Sequence, residues 1–190
     1  MKREEIFLLP NIITFLRLVL TFPLIYFVSE EKWKLSAVIG SVAIISDFAD
    51  GTVARKLKMT SDFGRKFDPT VDKIALISLF FVLFIKNMIP EWFGIIVLGK
   101  DIIIPLIILV GKLKGAELNF SPTKFGKAAV VLQFTFIILF IAEKAFGIRT
   151  FHEFLTIPVS LFCFLSVMSY IALISKISQK STTFLSKPQR

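Results

Sequence analysis

Apolar residues in this chain gather into long runs, broken by short stretches that carry charge, proline or glycine. Strict alternation over about ten residues, the signature of a barrel strand, is absent. The runs predict six helices, at Asn11–Val28, Leu35–Ala54, Val71–Met88, Trp92–Val110, Gly126–Phe146 and Leu155–Ile174. A helix of roughly 18–22 residues crosses a hydrocarbon core of about 30 Å. The expected fold is therefore all-α: an integral membrane protein with six transmembrane helices, forming a single domain over residues 1–190.

Composition strengthens that picture. Hydrophobic residues make up 55% of the chain and Phe alone occurs 22 times, too many for an ordinary soluble core. Cys163 is the single cysteine and lies in an apolar run, so it predicts packing and no internal disulfide. The first run is not followed by a small-residue cleavage site and reads as a retained helix. The polar tail from Ser175 to Arg190 reads as a frayed end.

Charge then orients the spans. Lys2 and Arg3, the cluster from Arg55 to Lys73, the loop lysines Lys112, Lys114 and Lys124, and the tail lysines share one side. Lys32, Lys34, Lys86, Lys144 and Arg149 share the other. The positive-inside rule makes both termini cytoplasmic, in the cell membrane, with the loops after spans two and four facing the cytoplasm. Because the basic residues hug membrane ends, the net charge of +9 points to anionic lipid headgroups and not to nucleic acid.

The chemistry concentrates between Ser46 and Lys73. Asp47 and Asp50 are three residues apart and Asp68 and Asp72 four apart, so each pair falls on one face of a helix. Four carboxylates together at a membrane edge repel unless protonated or neutralised by cations. Hard divalent ions such as Mg²⁺ or Mn²⁺ take such oxygen ligands, and four carboxylates suit a two-metal site. Gly51, Ala54 and Gly64 remove bulk beside the acids, and Arg55 supplies a guanidinium for a phosphate. The alternative is ordinary helix punctuation, with Asp68 as an N-cap before Pro69.

These residues resemble the signature of the CDP-alcohol phosphotransferase family, D-x2-D-G-x2-A-R-x8-G-x3-D-x3-D. Asp47, Asp50, Gly51, Ala54, Arg55, Gly64, Asp68 and Asp72 match it without a gap. The resemblance implies that the four aspartates share two metals and that Asp72 is the general base. It also implies that a CDP diphosphate lies against Asp50, Gly51, Ala54, Arg55 and Gly64. The substrates it implies are CDP-diacylglycerol and an alcohol acceptor, and it suggests a homodimer.

The opening Leu9 to Arg17 is similar to that of bacterial phosphatidylglycerophosphate synthases and CDP-dependent cardiolipin synthases, with Asn11 within reach of the CDP headgroup. Ser121 to Gln133 is similar to their stretch at the start of span five, which makes Lys127, aided by Lys124, a candidate for an acceptor phosphate. Lys100 sits deep in span four beside Asp101, where the two are either functional or paired, and Arg17 deep in span one; both cations are acceptor candidates, with snorkelling or carboxylate pairing as the alternative for Arg17. Lys100 stands where these synthases carry arginine, and Asp101 leans toward the cardiolipin branch. The leading expectation is phosphatidyl transfer to glycerol 3-phosphate, then transfer to phosphatidylglycerol. A small cation or proton transporter with an intramembrane aspartate relay is the alternative of another class. His152, in a short loop, reads as a surface residue, and Trp33 and Trp92 read as interfacial anchors.

Overall fold

The computed structural model describes residues 9–57, 62–113 and 123–185. Among these the chain forms α1 (Leu9–Ser29), α2 (Trp33–Leu57), α3 (Asp62–Ile85), α4 (Glu91–Leu113), α5 (Lys124–Phe146) and α6 (Thr156–Leu185). A 3-10 turn, His152–Leu155, precedes α6, and no strand occurs among the described residues. The all-helical expectation is met, and each apolar run lies mainly within one helix.

Helix ends follow from local backbone chemistry. At the end of α1, Lys32 N–H donates to the Phe27 carbonyl and Glu31 N–H to that of Val28, with Glu31 at φ 56°. The end of α3 repeats the pattern: Met88 N–H donates to Leu83 and Asn87 N–H to Phe84, with Asn87 at φ 53°. Both are Schellman caps, which satisfy last-turn carbonyls and reverse the chain in a few residues. α5 ends differently, on Gly147 at φ +69°, whose N–H donates to Glu143. Glycine takes that left-handed conformation without a Cβ penalty.

Two boundaries depart from expectation. α3 begins at Asp62, nine residues before the expected Val71, and passes through Asp68 and Pro69 as helix. Asp68 is therefore no N-cap. Hydropathy marks where an apolar core begins, whereas the helix extends into the charged stretch ahead of it. The polar stretch expected to fray likewise continues α6 as far as Leu185, in a segment free of glycine and proline.

Among the described residues, three segments are long and apolar enough to cross a membrane, at Glu91–Val110, Lys124–Phe146 and His152–Leu173. Phe15–Ser29 and Trp33–Ser46 are shorter apolar stretches among the described residues. Phe22, Ile45 and Ile157 are 68%, 67% and 71% exposed, and many other large apolar side chains point outward beside them. Such an apolar exterior suits lipid and would be a liability in water.

Contacts divide the chain into two compact units. One comprises Met1–Ile89 with Ile137–Phe151, the other Pro90–Phe136 with His152–Arg190. In the first, α1 packs on both α2 and α3. Its core holds Val28, Leu76, Phe80, Leu83 and Phe140, with Trp33 edge-on to Phe140 at 5.8 Å. In the second, α4 packs on α6, and Phe93, Val97, Ala129, Phe136, Val159 and Cys163 are buried.

Candidate active site

Asp47 and Asp50 fall within α2, and Asp68 and Asp72 within α3. The helical spacing on which the shared-face expectation rests is thus present in the backbone. The side chains of Asn11, Asp47, Asp50, Gly51, Ala54, Arg55, Gly64 and Asp68 lie outside the described residues. Asp72 is the described member of the acidic set.

Arg17 of α1 meets Asp72 of α3 in the first unit. Its Nη1 donates to Asp72 Oδ1 at 2.7 Å, across 55 residues of sequence. The arginine side chain is 9% exposed and the aspartate side chain 37%. A charge-assisted contact of this length is among the stronger hydrogen bonds proteins make. The carboxylate-pairing alternative for Arg17 is the arrangement present. One turn on, the Thr21 hydroxyl donates to the Arg17 carbonyl at 2.9 Å, a back-bond that keeps a buried hydroxyl satisfied inside an apolar helix.

A polar chain crosses the second unit. Lys100 Nζ of α4 lies 3.3 Å from Asp101 Oδ1 and donates to Gln133 Oε1 of α5 at 3.0 Å. Gln133 Nε2 in turn reaches Cys163 Sγ of α6 at 3.8 Å. Lys100, Gln133 and Cys163 are all buried. An ammonium in an apolar span is costly unless paired, and here a carboxylate and an amide oxygen face it. Cys163 is packing, as expected, but it also receives this weak donor.

Lys124 and Lys127 stand in the first turn of α5, and both are exposed. That turn is fixed by Thr123, which accepts Gly126 N–H on its hydroxyl at 3.1 Å and Lys127 N–H on its carbonyl at 3.0 Å. This is an N-cap, and it leaves the lysines at the positive end of a helix. Gly126 permits close approach by α6: a Cβ there would stand 3.1 Å from Ser166 Oγ. Ser166 is fully buried, and its hydroxyl has no hydrogen-bond partner among the described residues. Sequence reading passed over Ser166, whose only signal is a small polar residue inside an apolar run.

His152 corrects an expectation. It is 8% exposed and stands edge-on to Phe136, with ring centroids 5.5 Å apart. The 3-10 turn folds the loop back onto the core. Its sequence neighbours Phe151 and Phe154 are 55% and 74% exposed, so nothing local to His152 signals its burial.

By donor type the acidic residues suit hard divalent cations, since carboxylates are hard oxygen ligands. Among the described residues no group of three or more His, Cys, Asp or Glu gathers to hold a metal, and the side chains of Asp47, Asp50 and Asp68 lie outside them. A groove of about 250 Å³ in the first unit is lined by Ala37, Val38, Ser41, Val42, Ile45 and Phe146. It offers no charge to a diphosphate.

Comparison with known proteins points the same way as the motif. The family described as CDP-alcohol phosphatidyltransferase matches residues 7–177. A CDP-diacylglycerol--glycerol-3-phosphate 3-phosphatidyltransferase of Aquifex aeolicus is 27% identical over 148 residues, covering 76% of this chain and 78% of that protein. The Rickettsia felis protein of the same name is 29% identical over 145 residues, 74% and 78% of the two chains. A Schizosaccharomyces pombe fusion protein, cardiolipin synthase (CMP-forming) with a mitochondrial hydrolase, is 35% identical over 103 residues, or 54% of this chain. The matched segment spans 17% of that much longer protein.

Proposed function

Because the chain belongs to the CDP-alcohol phosphatidyltransferase family and is thereby a transferase of phospholipid biosynthesis, we propose that it moves the phosphatidyl group of CDP-diacylglycerol onto glycerol 3-phosphate. The products are phosphatidylglycerophosphate and CMP. The observation that carries this reading is the ungapped motif from Asp47 to Asp72, in a chain matched to the family over residues 7–177. That match removes the ground for the ion-transport alternative.

The reaction asks three things of the protein. The donor diphosphate must be held, and Asn11, Asp50, Gly51, Ala54, Arg55 and Gly64 are assigned to it. The acceptor hydroxyl must lose its proton, and Asp72 takes it. The freed oxygen then attacks the lipid-side phosphorus, and the bond from that phosphorus to the bridging oxygen breaks, so that CMP departs with the bridging oxygen. Asp47, Asp50, Asp68 and Asp72 would hold two Mg²⁺ or Mn²⁺ ions, whose positive charge would offset the negative charge of the diphosphate.

Glycerol 3-phosphate brings its own phosphate, which needs fixed cations. Lys127 and Lys124 suit it, being exposed at the capped start of α5, where the helix dipole also favours an anion. Lys100 already faces Asp101 and Gln133, and in this reading Arg17 serves Asp72. The names of the Aquifex aeolicus and Rickettsia felis proteins support this acceptor, since each aligns over most of its length.

A second reading, cardiolipin synthesis with phosphatidylglycerol as acceptor, draws support from the 35% identity to part of the Schizosaccharomyces pombe protein. In either reading the chain is a six-span, single-domain homodimer in the cell membrane. Its termini and active site face the cytoplasm, where in the first reading CDP-diacylglycerol meets soluble glycerol 3-phosphate. Measuring CMP release from CDP-diacylglycerol with glycerol 3-phosphate, phosphatidylglycerol, inositol phosphate or serine separates the readings. The expected result is release with glycerol 3-phosphate; release with phosphatidylglycerol alone would transfer the assignment to cardiolipin synthesis.

A further inference from the structure

The pair formed by Arg17 and Asp72 is asymmetric in a way that a merely structural ion pair need not be. The guanidinium is 9% exposed, whereas the carboxylate is 37% exposed. The guanidinium is thus the more deeply buried member of the pair. Placing arginine in the apolar stretch of α1 costs free energy that only a close partner offsets. Asp72, a residue of the reactive motif reached across 55 positions of sequence, is one such partner.

We infer that Arg17 is a positioning residue for the transfer reaction: by holding Oδ1 of Asp72, it fixes the plane of the carboxylate that receives the acceptor proton. The inference rests on the assignment of Asp72 made above. The terminal torsion of a carboxylate is broad, so a carboxylate plane is set by what holds its oxygens. A charge-assisted bond of 2.7 Å to one oxygen removes that freedom. Arginine does this better than lysine, because its planar fork constrains direction as well as distance. Partners of this kind, lying behind a ligand or base, commonly set its orientation. Thr21 holds the Arg17 carbonyl, and α1 packs along α3, so the guanidinium is delivered by a fixed helix.

The test uses full-length protein purified in detergent as wild type, Arg17→Gln, Arg17→Lys, Asp72→Asn and the Arg17→Gln/Asp72→Asn double variant. Two quantities are read: CMP-release kinetics, and Mn²⁺ affinity from the electron paramagnetic resonance signal of free Mn²⁺ in the absence of substrate. Arg17→Gln is expected to lower kcat about tenfold, with KM for glycerol 3-phosphate held within about twofold. The same change removes a positive charge beside a metal-binding carboxylate, so Mn²⁺ should bind about threefold tighter. General damage to the fold would not produce slower turnover together with tighter metal binding. In the Asp72→Asn background the Mn²⁺ gain should vanish, because Arg17 acts through that carboxylate. Arg17→Lys keeps the charge and loses the fork: kcat should fall about threefold with Mn²⁺ affinity unchanged, which decides the matter if Arg17→Gln does not fold.

Unchanged kcat in both Arg17 variants would overturn the inference. So would a rise in KM for glycerol 3-phosphate with kcat intact, which would place Arg17 on the acceptor. Failure of the underlying assignment shows separately, as Asp72→Asn turning over at the wild-type rate, and it takes the inference down with it.

Discussion

Lys100 donates to Gln133 across α4 and α5 at 3.0 Å, while the neighbouring Asp101 supplies its counter-charge at 3.3 Å. A residue that sequence alone marks as an acceptor candidate is thus engaged within its own unit. The consequence is a testable order of damage. Gln133→Leu removes one neutral acceptor and should cost about 1 kcal/mol, the scale of polar contacts between membrane helices. Asp101→Leu leaves the ammonium without its carboxylate and should cost more, on the order of 3 kcal/mol. Lys100→Met combined with Asp101→Leu should recover part of that loss. Thermal unfolding in detergent gives the order.

Gly126 and Ser166 form a tight contact. Gly126→Ala raises helix propensity by up to about 1 kcal/mol. Its new Cβ would lie 3.1 Å from Ser166 Oγ and 3.2 Å from Thr123 Oγ1, and overpacking costs about 1–3 kcal/mol. A net loss is expected, and adding Ser166→Ala should shrink it. Thr123→Ala, which removes the N-cap, should lower stability by about 1 kcal/mol and leave the first turn of α5 less fixed. The kinetic sign would be a higher KM for glycerol 3-phosphate with kcat little changed.

Glu143 staples the loop after α5. Its Oε2 accepts both the N–H and the hydroxyl of Thr150, each at 2.9 Å. Glu143→Ala strands the Thr150 N–H, while the hydroxyl keeps the Leu139 carbonyl at 3.1 Å, and should cost about 1–3 kcal/mol in thermal unfolding. CMP release at permissive temperature should stay near wild type, because the staple lies outside the proposed site.

Metal removal bears on the acidic set as a whole. EDTA should abolish CMP release, and Mg²⁺ or Mn²⁺ should restore it. Asp68→Asn should raise the Mn²⁺ concentration needed for half-maximal rate by about tenfold or more, since one anionic ligand is lost. Full activity in EDTA would contradict the two-metal reading.

Much of the fold was legible because a membrane helix writes itself as one apolar run. The starts of α1, α2, α4 and α5 fall within two residues of the expected span starts. Where polarity and helix part company, as ahead of Val71 and beyond Ile174, hydropathy reports the apolar core and not the helix. The acidic motif was legible as spacing, and the spacing survives on α2 and α3. Tertiary partners were less so: nothing local to Arg17 names Asp72, 55 residues away. His152 was misjudged because burial of a short loop depends on how the 3-10 turn folds back, which a single sequence does not encode locally.

The central claim is the transfer of a phosphatidyl group to glycerol 3-phosphate, and isotope labelling tests it most directly. Purified protein is given CDP-diacylglycerol, Mn²⁺ and ¹³C-labelled glycerol 3-phosphate, and the lipid products are identified by mass spectrometry, with Asp72→Asn alongside. The label should appear in phosphatidylglycerophosphate, with one CMP for each lipid formed and no labelled lipid from Asp72→Asn. Unlabelled lipid from the wild type, together with cardiolipin formed once phosphatidylglycerol is added, would contradict it.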